Sequence, residues 1–149
     1  MKKTNLLVVA LLGFALAMSG CATISGAIGG NAAYRAGHFT TLTYLLRKAK
    51  MSAQDVAAVE AIHRALAEVT VPVDVPNLGV YIDLLKVNLC ASIEDKAEQA
   101  LALYLLQPYL DAITVLIPDT VDVSLRCKTL QDFQRGVLNA RKEYAFLLL

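Results

Sequence analysis

Val56, Val59, Ile62, Leu66 and Val69 recur at steps of three and four. That spacing gathers them on one side of a 3.6-residue helix and would scatter them over both faces of a strand. Ser52 stands three residues before Asp55. There its hydroxyl can take a backbone N–H of the first turn while the carboxylate reaches back, the reciprocal arrangement of a capping box. Met51 and Val56 sit where a hydrophobic staple closes. Glu60 and Arg64 form an i,i+4 pair for the solvated face. The spacing predicts a helix from Ser52 to about Val69.

The rest of the chain from Asn31 onward reads the same way. Asn31 to Lys50 carries Tyr34, Leu42, Leu45 and Leu46 on one side, with Thr40, Thr41 and Thr43 lowering its propensity. Arg47, Lys48 and Lys50 crowd its end, which suits the negative pole of a helix dipole; contact with anionic lipid headgroups is the second reading. Only Met51 separates this helix from the Ser52 cap, so the first two helices are expected to form an antiparallel hairpin. Val71 to Gly79, with Pro72 and Pro76, reads as an extended linker. A third helix is predicted over 78–91, with Tyr81, Leu84, Leu85 and Leu89 on one face. Ser92 with Asp95 matches a second capping box and opens an apolar run to Ile117. Pro108 inside that run removes one helical hydrogen bond, predicting a kink or two short helices. The last helix is expected from Val123, through Cys127, Leu130, Phe133 or Gln134, Val137 and Tyr144. The alternation in "VTVPVDV" supports at most an edge strand, because Pro72 interrupts it. The expected fold is all-α: a small bundle of four to six short helices.

The first twenty residues belong to a different problem. Lys2 and Lys3 precede an apolar run of thirteen residues, Leu6 to Met18, and the small residues Ser19 and Gly20 follow. At about 1.5 Å per residue the run reaches roughly 20 Å, short of a hydrocarbon core of roughly 30 Å. Basic, apolar, small is the order of an export signal. Met18-Ser19-Gly20-Cys21 resembles the lipobox of bacterial lipoproteins, although Met18 stands where Leu is usual. The resemblance implies a diacylglyceryl group on Cys21, cleavage before it, and a mature chain beginning there. Ala22 in place of Asp after the cysteine implies sorting to the outer membrane in a Gram-negative host, the chain facing the periplasm. Residues 1–20 are then the signal, 21–31 the lipidated cysteine and a Gly/Ser-rich tether, and 32–149 one helical domain. An uncleaved transmembrane helix and plain cleavage into a soluble protein are the alternatives. Glycines 20, 26, 29 and 30 make the first a poor helix.

Chemistry is sparse. Without Lys2 and Lys3 the chain has 12 basic and 13 acidic residues, no footprint for nucleic acid. Cys90 and Cys127 are the only cysteines after Cys21, and in an exported domain such a pair is first a disulfide candidate. The bridge would close a loop of about 37 residues, worth about 4 kcal/mol in the chain-entropy treatment. Two buried thiols, or redox chemistry, are the alternatives. His38 and His63 lack metal-site or catalytic spacing. His63 falls at the edge of the apolar stripe, expected to be partly solvated and paired with Glu60. Neither a catalytic residue, a metal ligand nor a cofactor motif is expected. Phe146, Leu147, Leu148 and Leu149 end the chain; they should pack back on the bundle, or else form an apolar patch for a partner or membrane. In outline (small, helical, lipid-anchored, one possible disulfide) the chain is similar to pilotin lipoproteins, which escort secretins by holding a peptide in an apolar groove. A phage superinfection-exclusion lipoprotein fits the same outline. The functional expectation is a non-catalytic lipoprotein anchored in the bilayer through Cys21, with another envelope protein as partner. A carrier of apolar ligands and an envelope hydrolase are the other readings.

Overall fold

The computed structural model describes residues 31–71, 77–117 and 121–147. The expected signal, Cys21 and residues 22–30 of the tether lie outside them, as do residues 72–76 of the linker and the last two leucines; Asn31, expected to end the tether, is the first residue of a helix. The described residues form α1 (Asn31–Arg47), a 3-10 turn (Lys48–Lys50), α2 (Ala53–Glu68), α3 (Leu78–Ala91), α4 (Lys96–Leu116) and α5 (Val123–Leu147). No strand occurs among the described residues, and the all-α expectation holds. None of these helices is long and apolar enough to cross a membrane.

Short polar side chains start the helices. The Ser52 hydroxyl accepts the Asp55 N–H at 3.1 Å, the Asn77 side-chain carbonyl accepts that of Val80 at 3.0 Å, and Asp122 accepts that of Leu125 at 2.9 Å. Each fills one of the four donors a helix start leaves open. α4 departs from expectation twice. Ser92 does not open it. Its hydroxyl donates to the Leu89 carbonyl and finishes α3, while Asp95 caps α4 by accepting both Ala97 and Glu98 N–H groups at 2.9 Å. Both donors share one oxygen of Asp95, and an ionised carboxylate accepts more strongly than a neutral hydroxyl. Nor does Pro108 split the helix, which runs unbroken through it. The carbonyl left without its donor is that of Tyr104, four residues back. Tyr104 and Pro108 are both exposed, so water can complete that carbonyl. One residue on, the Leu105 carbonyl accepts a long 3.4 Å bond from the Tyr44 hydroxyl.

The expected hairpin between the first two helices is replaced by a different pairing. α1 lies chiefly against α5, the helix most distant in sequence, and less against α4. The Tyr34–Asn139 and His38–Glu143 hydrogen bonds span this contact, and both join residues 105 apart. Moving four residues along α1 thus moves four along α5, so the two helices run parallel. Their closeness comes from small residues. A Cβ on Gly37 would lie 2.3 Å from the Phe133 carbonyl oxygen, and one on Gly136 2.1 Å from that of Tyr34. Neither glycine has a positive φ, so space alone requires them. Ala33, Ala36, Gly37, Thr40 and Thr41 form the buried face of α1, joined by Leu45. Leu46, placed by periodicity on the inner side, is 63% exposed and lies on the opposite face. Periodicity weighs large apolar residues, whereas this interface selects small ones.

α2 packs on α4 and α5, and α3 on α4 and α2. The centre is filled by Ile62, Leu66, Tyr81, Leu85, Leu106, Tyr109, Leu130 and Phe133, all fully buried. Gln134 of α5 closes the end of α2: its side-chain amide donates to the Leu66 carbonyl at 3.0 Å and also to that of Val69. These are carbonyls the helix itself leaves open.

Candidate functional site

Three places in this frame carry polar or exposed apolar groups that the core does not explain away. The first is internal. His63 is 1% exposed, not at the solvent boundary, and its partner is Tyr109 rather than Glu60. The imidazole Nε2 and the phenol oxygen are 2.6 Å apart. Tyr44 stacks on Tyr109 with centroids 5.6 Å apart, and Phe133 meets it edge-on at 6.5 Å. Burial lowers the His63 pKa to about 4; Arg141 pushes the same way and Glu60 partly opposes. Burial also raises the Tyr109 phenol well above 10. At neutral pH the imidazole is uncharged and the phenol protonated, so the O–H donates to Nε2 and the ring proton sits on Nδ1. The pair satisfies two polar groups inside an apolar core and offers a substrate no approach.

Glu60 instead binds Lys48, which follows α1, in an exposed ion pair. That hydrogen bond raises the Lys48 pKa. His38, on α1, is bonded to Glu143 at 2.8 Å and stacks beside Tyr34 at 5.7 Å. Both histidines are thus engaged with a phenol or a carboxylate. Among the described residues no cluster of three metal-ligating side chains forms.

The second place is the outer surface of α1 and the end it shares with α5. Arg35, Phe39, Leu42 and Leu46 follow one another at steps of four, three and four on the side opposite the glycine contact. Phe39 is 50% exposed. Because α1 and α5 run parallel, their C-terminal ends coincide. Of the cations after α1, Lys48 lies near enough to Tyr144 of α5 for the two to be electrostatically coupled. Phe146, two residues further, is 77% exposed, so at that residue the expected packing back on the bundle does not occur. The Leu147 side chain, Leu148 and Leu149 lie outside the described residues. Sequence reading picked out the cations and Phe146 separately. That Lys48 comes near Tyr144 depends on a contact made across about a hundred residues.

The third place is α3. Val80, Leu84 and Val87, at steps of four and three, form an exposed apolar stripe, with Asp83, Lys86 and Asn88 around it. α3 buries only Leu78, Tyr81, Leu85 and Leu89. Leu84, grouped by periodicity with the inner face, belongs to the outer one. Between α2 and α3, Arg64, Ala65, Glu68, Val69, Asn88 and Ser92 line a cleft of about 50 Å3. That is space for a water or two, not for an acyl chain.

Cys90 lies half-buried in the last turn of α3 and Cys127 buried in the first turns of α5; their sulfurs are not joined in the structure. α3 makes its main contacts with α4 and α2, so the two cysteines belong to helices that are not principal neighbours.

Among the described residues the fold and surface define a small all-α domain with a closely filled core and apolar stripes on the outer faces of α1 and α3. Compared with known protein families, curated proteins and solved structures, the chain matches none.

Proposed function

We propose that the chain is a non-catalytic lipoprotein, anchored through acyl chains on Cys21 to the periplasmic face of the outer membrane, whose helical domain binds another envelope protein. Met18-Ser19-Gly20-Cys21 supports the anchor. The observation that carries the binding reading is the α3 stripe: three branched aliphatic side chains, Val80, Leu84 and Val87, held outward on a rigid helix. Exposed aliphatic positions at helical spacing are what a partner helix or an apolar peptide engages. The surrounding residues carry both signs of charge, which suits a protein rather than a lipid surface. The sealed His63–Tyr109 pair favours a non-catalytic role. A pilotin-like adaptor and an exclusion factor are the two kinds of protein this reading admits.

The test has two parts. Palmitate labelling and intact mass of the wild type and Cys21→Ser address the anchor. Label and an added lipid mass that vanish in the variant support it; no label overturns it. A photo-crosslinking side chain at position 87, activated in living cells, addresses the partner. One discrete protein adduct, abolished by Val80→Asp/Leu84→Asp, supports α3 as the binding face. A spread of unrelated adducts, or one unaffected by those changes, overturns it.

A further inference from the structure

The distribution of charge along the chain is uneven. From Cys21 to Gln54 the chain holds four basic side chains and no acidic one, and all thirteen acidic residues lie from Asp55 onward against eight basic ones. The described part of that cationic segment is α1 and the turn after it, with Arg35, Arg47, Lys48 and Lys50. Arg35, on the outward face of α1, and Lys50, in the turn after it, bracket exposed Phe39 and Leu46 and half-buried Leu42. α1 therefore carries apolar side chains on two opposite faces. The inner one is fixed: the Gly37 and Gly136 contacts leave no room for α1 to roll on α5. The outer stripe is thus held outward permanently.

We infer that α1 lies along the membrane surface, with Phe39, Leu42 and Leu46 set among the headgroups and Arg35, Arg47 and Lys50 on lipid phosphates. The inference rests on the lipoprotein reading for its anchor. Cys21 precedes Asn31 by ten residues. That tether spans at most roughly 35 Å when extended, and α1 is about 26 Å long. A helix tied so closely to a bilayer can lie flat on it. A helix with an apolar strip flanked by cations is the form that settles at an interface, its basic side chains reaching to the phosphates. The more acidic remainder of the domain is then turned away from an anionic surface. α3, which has no principal contact with α1, stays open to the periplasm for a protein partner.

The chain contains no tryptophan, so Phe39→Trp, Leu46→Trp and Val87→Trp each introduce a sole tryptophan, excited apart from the tyrosines, at an exposed position. The full chain, purified from membranes, is placed in phosphatidylethanolamine/phosphatidylglycerol vesicles containing brominated acyl chains, and Cys21 lipidation is read by intact mass in the same samples. Trp at 39 and 46 is expected to emit to the blue and lose roughly half its intensity to the bromines, as burial at the headgroup boundary implies. Trp at 87 is expected to keep the emission of a residue in water. Unquenched emission at 39 and 46 overturns the inference, and so does equal quenching at all three positions. If Cys21 is lipidated and 39 and 46 are unquenched, this inference alone fails. If Cys21 is bare while 39 and 46 are still selectively quenched, the lipoprotein reading fails and the surface contact remains.

Discussion

Gly136 of α5 presses against the backbone of Tyr34 on α1 so closely that a methyl group there would overlap the Tyr34 carbonyl, at 2.1 Å. Alanine at either glycine of this contact should favour the helix by about 1 kcal/mol through propensity. Forcing two backbones apart costs about 1–3 kcal/mol or more. The clash is with backbone, which cannot swing aside, so the steric cost should win. Gly37→Ala and Gly136→Ala are each expected to lower the melting temperature by roughly 5 °C or more. Thermal unfolding followed by circular dichroism checks this, and an unchanged or raised midpoint would show that the helices are not in such close contact.

Acid should weaken the fold through His63. Its pKa is about 4 when folded, below the ordinary 6.5. Between those values the unfolded chain takes a proton that the native state refuses, so this contribution is present above pH 6.5 and fades as pH falls toward 4. The drop is on the order of 3 kcal/mol for a fully buried group. Urea unfolding at a series of pH values should show it, and His63→Leu should flatten that part of the curve.

The His63–Tyr109 pair should behave as a unit. Removing the hydroxyl in Tyr109→Phe leaves Nε2 buried without its donor, and His63→Leu leaves the phenol without its acceptor. Each single change is expected to cost about 1–3 kcal/mol. His63→Leu/Tyr109→Phe together should cost less than the sum, since nothing polar is then stranded. Additive losses in the double-mutant cycle would mean the two groups do not depend on each other.

Pro108→Ala should stabilise the protein. It restores the N–H that the Tyr104 carbonyl lacks, on a solvated face where the ring serves no core contact. Propensity sets a ceiling of about 3 kcal/mol, and a gain of about 1–2 kcal/mol is expected. A loss in urea unfolding would instead mean that Pro108 sets a bend on which the Tyr44–Tyr109 stack relies.

Local signals served well where helices answer only to their own sequence. The boundaries of α3, Leu78 and Ala91, follow from the prolines before it and Ser92 after it, and the Ser52 cap forms as its spacing implies. Reading failed where a partner from elsewhere decides the outcome. His63 looked like a boundary residue because Tyr109, forty-six positions away, cannot be seen in the periodicity of α2. On α1 periodicity places Leu45 inside correctly but misplaces Leu46, because most of the buried side is Ala, Gly and Thr, which carry little weight in a hydrophobic pattern. The nearness of Lys48 to Tyr144 is hidden in the sequence for the same reason, since only the parallel α1–α5 contact creates it.

That contact also governs how the chain can mature. Its hydrogen bonds join positions 105 residues apart, although helical bundles ordinarily fold from nearby segments. A nascent chain that has supplied α1 through α4 still leaves the small-residue face of α1 uncovered, and the bundle can close only when Phe133 and Gly136 arrive. Until then the chain has no finished tertiary structure. Losing the chain from Phe133 onward should cost the whole bundle rather than one helix.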